Sequence, residues 1–146
     1  MKSAAQILKS KPGQTVESVT PSTSVFDAVK LMAEKNIGAL LVMEDLKIAG
    51  MVTERDYARK VILMGRSSKE TLVRDIMTSP VMYVRPDQTN EECMALMTDS
   101  RVRHLPVVDK GELIGLISIG DLVKDIIFEQ KFIIEQLEQY ISGGMG

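Results

Sequence analysis

The sequence predicts a mixed α/β (α+β) chain built from two copies of one β-α-β-β-α unit and closed by a long C-terminal helix. Three observations predict it: the chain repeats itself, both repeats show the same order of segments, and an amphipathic pattern continues past the second repeat. A shift of 65 residues, taking Pro21 to Pro86, also aligns Leu31 with Leu96, Met32 with Met97, Leu40 with Leu105 and Val42 with Val107. It aligns Gly50 with Gly115, Asp56 with Asp121 and Ile62 with Ile127, and needs no gap from Val16 to Ile62. A shift of 69, from Ala4 to Val73, lays Ala4-Ala5-Gln6-Ile7-Leu8 on Val73-Arg74-Asp75-Ile76-Met77, so each copy has its own lead-in. A unit of roughly 60 residues buries little core alone, so the two copies should pack together. The expected division is 1–65 for the first unit with a lead-in helix, 66–128 for a linker, lead-in and second unit, and 129–146 for the helical extension and tail.

Each element follows from local pattern. Val16–Val19 and Val81–Val84 are β-branched runs that end before a proline turn, which predicts strands. Ser24 and Thr89 suit helix N-caps, and Glu92 completes a capping box with Thr89. Val25, Ala28, Val29 and Met32 then recur at helical spacing, as do Cys93, Met94 and Met97. The apolar runs Ala39–Met43 and Leu105–Val108 read as buried strands. The turns Glu44–Lys47 and Asp109–Glu112 lead each into a third strand, Ile48–Val52 or Leu113–Ile117. Thr53 and Ser118 cap the second helices, with Asp56 and Asp121 in the capping-box position. Gly65 suits a helix stop, and Arg66-Ser67-Ser68-Lys69 reads as the linker. Leu122–Ile141 contains neither Gly nor Pro, and its apolar residues recur at three- and four-residue steps until Ser142-Gly143-Gly144 should end the helix.

Composition excludes several classes. At 146 residues, with 45% apolar and 26% charged, the chain is of ordinary globular make-up and no apolar run is long enough to span a bilayer. The opening residues lack the apolar stretch of a secretory signal. Eighteen Lys and Arg against 20 Asp and Glu favour neither nucleic acid nor an anionic membrane as partner. Without Trp, and with 4% aromatics, a base-stacking platform is not expected. One Cys excludes an intrachain disulfide and fits a reducing, cytoplasmic setting. With a single His it also excludes His/Cys zinc sites within one chain. Cys93 shares a stripe with Met94 and Met97 and reads as core, and the ten Met as soft packing.

Gly50-Met51-Val52-Thr53-Glu54-Arg55-Asp56 and Gly115-Leu116-Ile117-Ser118-Ile119-Gly120-Asp121 resemble the closing motif of CBS domains. Arg103-His104-Leu105-Pro106-Val107-Val108-Asp109 resembles that family's second-strand motif, and Val73-Arg74-Asp75-Ile76-Met77-Thr78 its lead-in. The resemblance covers about Ala4 to Ile127 and implies a CBS pair, or Bateman module, like those that stand alone in bacteria. It implies two pseudo-symmetric motifs packed sheet to sheet, with clefts that bind adenine nucleotides: AMP, ADP, ATP or NAD. The implied role is regulatory and energy-sensing, acting on a partner protein that the sequence does not name. It also implies a homodimer or larger assembly, to which the unpartnered apolar stripe of the last helix independently points.

A ribose offers two adjacent hydroxyls, and one carboxylate accepts from both. Family likeness assigns Asp56 and Asp121 to the ribose, and Thr53 and Ser118 to the ribose–phosphate side. The plain alternative is that each Asp only caps its helix. Arg101, Arg103 and His104 are basic groups for phosphates in the second copy, whose counterparts are Asn36, Gly38 and Ala39. Arg55 lies in the first copy, where Gly120 is the counterpart, and the family places phosphates near the centre, where basic residues of either motif can reach them. The two sites should therefore differ. The alternatives for these basic residues are a solvated strand end and a packed histidine. Gly38 and Ala39 either leave room for a flat base or simply start a strand, and the family places backbone near Thr20 and Tyr83 at the adenine. No nucleophile–base constellation or glycine-rich phosphate loop points to an enzyme, and no metal is implied. Two other functions stay open: a structural or partner-binding module without a nucleotide, and a nucleotide-processing enzyme.

Overall fold

A computed structural model describes residues 2–11 and 16–145. In chain order the elements are α1 (Ala4–Ser10), β1 (Ser18–Val19), α2 (Val25–Lys35), β2 (Ala39–Glu44), β3 (Lys47–Thr53) and α3 (Glu54–Tyr57). They continue with α4 (Asn90–Ser100), β4 (His104–Asp109), β5 (Glu112–Ser118) and α5 (Ile119–Met145). A π-helical turn, Ala58–Ile62, prolongs α3, and a 3-10 turn spans Val73–Asp75. The chain forms two compact units, Thr15–Met82 and the N-terminal segment to Gln14 joined with Tyr83–Gly146.

This division differs from the sequential one expected at residue 65. Each lead-in packs on the other copy. In Thr15–Met82, Val73 and Ile76 share a core with Val25, Ala28 and Met32 of α2 and with Leu40, Val42 and Val52 of the sheet. The strand order is β1-β2-β3, with β1 parallel to β2 and β2 antiparallel to β3. Thr78 closes the outer edge of β3 by exchanging hydrogen bonds with Met51 at 3.0 and 2.8 Å. That close approach needs Gly50: a Cβ there would lie 2.9 Å from the Thr78 carbonyl oxygen and 2.7 Å from Met77 Sδ. Residues 66–69, expected as the linker, pack within this unit. The Ser68 carbonyl accepts from Phe26 N–H and the Thr71 carbonyl from Val25 N–H, both at 2.8 Å, which satisfies two of the orphan donors at the α2 N-terminus.

In the other unit α1 takes the equivalent place. Ala4, Ile7 and Leu8 join Val84, Cys93, Met97, Leu105, Val107, Ile117 and Leu122 in one core. Gly115 admits Leu8, whose Cδ2 would lie 2.6 Å from any added Cβ. Only β4 and β5 form a sheet here. The strand expected over Val81–Val84 reduces to one parallel bridge, Val84 to Val107. A further rung toward Met82 would require an N–H from position 106, which is Pro106.

Helix ends follow their caps. Ser3, Thr53 and Thr89 make complete capping boxes, and α2 and α4 stop on left-handed Asn36 (φ 55°) and Arg101 (φ 56°). Gly65, at φ +67°, ends the first copy's second helix as expected. The stop expected at Ser142-Gly143-Gly144 does not occur, and α5 runs on to Met145. Glycine weakens a helix but ends it only when it turns left-handed, and Gly143 and Gly144 are not among the positive-φ residues.

The β4–β5 turn offers a direct test of backbone strain. Lys110 (φ 52°) and Gly111 (φ 83°) are both left-handed, the conformation for which Asn-Gly is preferred. Lys110→Asn should stabilise the protein by about 0.5–1 kcal/mol in urea unfolding. A variant of unchanged or lower stability would contradict this turn geometry.

Candidate functional site

The first copy's cap residues form a closed set of polar bonds. Thr53 donates to Asp56 Oδ2 from its N–H at 3.0 Å and from its hydroxyl at 3.1 Å, while Asp56 N–H donates to Thr53 Oγ1 at 3.1 Å. Lys60, one turn on, lies 3.2 Å from Asp56 Oδ1 and also donates to the Ile76 carbonyl at 2.8 Å. Asp56 is 8% exposed, so this ion pair and these bonds compensate a carboxylate largely removed from water. Gly38 and Ala39 stand at the same end: the Gly38 carbonyl accepts from Glu54 N–H at 3.1 Å, and Ala39 faces Thr53 across the ladder.

The second copy repeats the cap with a different cation. Ser118 N–H donates to Asp121 Oδ2 at 2.8 Å, and Asp121 N–H donates to Ser118 Oγ at 3.2 Å. The position equivalent to Lys60 is Asp125, so the i,i+4 lysine of the first copy has no counterpart. Lys11, from the end of α1, reaches Asp121 Oδ2 at 2.8 Å and the Leu116 carbonyl at 2.8 Å. His104 faces Ser118 across the ladder, and the Arg103 carbonyl accepts from Ile119 N–H at 2.9 Å. Arg103, His104, Ser118 and Asp121 are thus brought together, with Lys11 as the member that sequence reading missed. Lys60 was missed as well, although its i,i+4 spacing from Asp56 offered a signal. Lys11 had no such signal, because its approach depends on α1 docking onto the copy farther along the chain.

The other expected site residues lie outside these closed sets. Thr20 is exposed after β1, its hydroxyl 3.2 Å from Ser22 Oγ and 3.0 Å from Thr23 Oγ1. Arg55 is exposed on α3, Arg101 is exposed at its helix cap, and Tyr83 is exposed one residue before the Val84 bridge. Cys93 is fully buried, as a core residue should be, and burial first and Glu92 second push its thiol up.

Electrostatics separate the two members of the second cap. Burial works against ionising Asp121, but the Lys11 ammonium and the Ser118 donors outweigh it and hold its carboxyl below the ordinary range. His104 is held below its ordinary value by burial, then by Lys11 and, more weakly, Arg103, against an opposing pull from Asp121. A lowered histidine means that the unfolded chain binds more protons just below the ordinary imidazole pKa. Stability should therefore fall as pH drops from above 6.5 through that range. The decline measured in urea between pH 7.5 and 5.5 should be shallower in His104→Ala, which installs the first copy's residue. An equal decline in both proteins would remove His104 as its source. Asp121 acts lower down: its contribution is present above the ordinary carboxylate range and is lost as pH falls through its depressed value.

Among the described residues no three or more His, Cys, Asp or Glu side chains are placed to hold a metal ion. No described helix is long and apolar enough to cross a membrane. Two units, each with a β-hairpin that ends in a hydroxyl-x-x-Asp helix cap, define a tandem CBS protein. The CBS domain model matches twice, over residues 8–62 and 73–127, and the chain belongs to the CBS-domain family. Its fold resembles that of a CBS-domain protein from Burkholderia ambifaria MC40-6, at 63% identity and a TM-score of 0.86, covering 88% of this chain and 96% of that one. It is 42% identical to the mitochondrial CBS domain-containing protein CBSX3 of Arabidopsis thaliana, over 96% of this chain and 72% of that protein. CBSX2, solved in complex with AMP, matches at 29% identity and a TM-score of 0.74, covering 89% of this chain and 99% of that one.

Proposed function

We propose that this protein is a regulatory sensor that binds an adenine nucleotide at its two caps and passes the bound state to a partner protein. The observation that carries the reading is the cap itself, present in both motifs: a hydroxyl and a carboxylate at a helix N-terminus, with an ammonium beside the carboxylate. A carboxylate so placed accepts the two hydroxyls of a ribose, and the helix N-terminus with its hydroxyl suits the neighbouring phosphate. Asp56 and Asp121 take the ribose, and Thr53 and Ser118 take the ribose–phosphate side. Lys11 and Arg103 supply positive charge, and His104 a hydrogen-bond donor, to phosphates at the second cap, with Arg55 at the first and Arg101 nearby in sequence. Gly38, Ala39, Thr20 and Tyr83 belong to the adenine side. AMP is the first ligand to test, since the related CBSX2 was solved with it. ADP, ATP and NAD present the same adenosine.

The reading is of a binding module and not an enzyme, because the cap offers acceptors and donors without a nucleophile set against a base. Mass spectrometry of small molecules released from the purified protein, followed by calorimetry with AMP, ADP, ATP and NAD, tests it. Release or saturable binding of at least one nucleotide is expected, with two unequal sites because Lys11 and His104 have no equivalents at the first cap. Absence of binding by all four at millimolar concentration would overturn the proposal.

A further inference from the structure

The helix α5 is 27 residues long, about 40 Å at 1.5 Å per residue, and its first turns belong to the core through Leu122, which is fully buried. Asp125 continues that inward face, receiving Asn90 Nδ2–H at 2.8 Å with Lys2 3.5 Å away, and half-buried Glu129 follows it. A second face does not share this burial. Val123, Ile127, Ile133, Ile134, Leu137, Tyr140 and Ile141 are between 42% and 78% exposed. At 100° per residue they form one stripe that repeats every seven positions, as Val123, Gln130 and Leu137 and again as Ile127, Ile134 and Ile141. An apolar stripe of this length on a surface requires a cover.

The charges beside the stripe say what the cover is. Lys124, Lys131, Glu135 and Glu138 all fall on one flank of the stripe, all exposed, with the cations in the first half and the anions in the second. When two identical helices pair antiparallel, each flank meets the same flank of its partner. Lys131 then approaches Glu135 and Lys124 approaches Glu138, twice over by symmetry. Parallel pairing instead sets this flank against the opposite one, which carries Glu129 and Gln136. We propose that α5 pairs antiparallel with α5 of a second copy of this chain, centred near Phe132, so that Ile127 meets the partner copy's Leu137. This proposal does not depend on nucleotide binding.

Disulfide trapping reads the direction, because the chain's one cysteine, Cys93, is fully buried. Full-length Ile127→Cys and Leu137→Cys proteins, oxidised together, should give a mixed disulfide dimer, and each alone should give little. In the antiparallel pair two copies of residue 127 stand about 15 Å apart along the axis, beyond the reach of a disulfide. Self-linking of either variant alone to the same extent would overturn the orientation. A full-length protein that sediments as a monomer at micromolar concentration would overturn the pairing. Lys131→Glu should weaken the dimer about tenfold, and adding Glu135→Lys should restore it. A double variant as weak as the single one would separate these charges from the interface and refute the assigned register.

Discussion

Asp121→Asn should lower the affinity for AMP by about 10²–10³-fold, the equivalent of about 2–4 kcal/mol. The amide keeps an oxygen that can accept Ser118 N–H at the helix cap, so the local fold has a means of surviving. What it loses is the negative charge that pairs with Lys11 and that, in the proposed function, would accept two ribose hydroxyls at once. Asp56→Asn should act likewise on the first site, where Lys60 is the paired cation. Calorimetry on both single variants and the double variant, with thermal unfolding alongside, distinguishes a lost ligand contact from a lost fold. Full AMP affinity in a folded double variant would leave the aspartates as helix caps and nothing more.

Leu8→Ala should cost about 2–5 kcal/mol in urea unfolding, and Gly115→Ala about 1–3 kcal/mol. These two changes meet at one place. Leu8 is almost fully buried, and its methyl carbons occupy the space that an alanine Cβ at position 115 would need. The double variant should therefore lose less than the sum of the two, since the smaller residue at 8 vacates the room that the added methyl takes. Strict additivity would mean that α1 does not sit on β5. Gly50→Ala, the equivalent change in the first copy, has no comparable rescue. One of the atoms in its way is the Thr78 carbonyl oxygen, held by Met51 N–H, and a backbone edge cannot be trimmed by a side-chain substitution.

The 65-residue periodicity made the element order legible, because strand and helix patterns recur where buried faces recur. The caps at Thr53, Thr89 and Ser118 were legible for a related reason: they are local, set by residues three apart. What was not legible lies at long range. Nothing in Ala4–Ser10 states that Ile7 and Leu8 face Leu105 and Ile117 rather than the nearer copy, as both copies offer similar apolar surfaces. Lys11 was missed as a consequence. The failed strand at Val81–Val84 was decided by its neighbour, since the missing donor belongs to Pro106 on another segment. Gly143 and Gly144 misled in the opposite sense, because glycine permits a stop without imposing one.

The exchange of lead-ins also bears on how the chain is made. Lys11 and Leu116, which are hydrogen-bonded in the finished protein, are 105 residues apart in sequence. During synthesis α1 leaves the ribosome long before its docking surface exists. By contrast Thr15–Met82 is continuous and has all of its core residues as soon as Ile76 and Thr78 have emerged. Vectorial folding therefore favours completion of the first copy while α1 is still undocked, and leaves the second copy to close last by capturing α1. Removing the first eleven residues should thus spare early folding and instead strand the late-made copy without Ala4, Ile7 and Leu8, its apolar core open to whatever else the nascent chain meets.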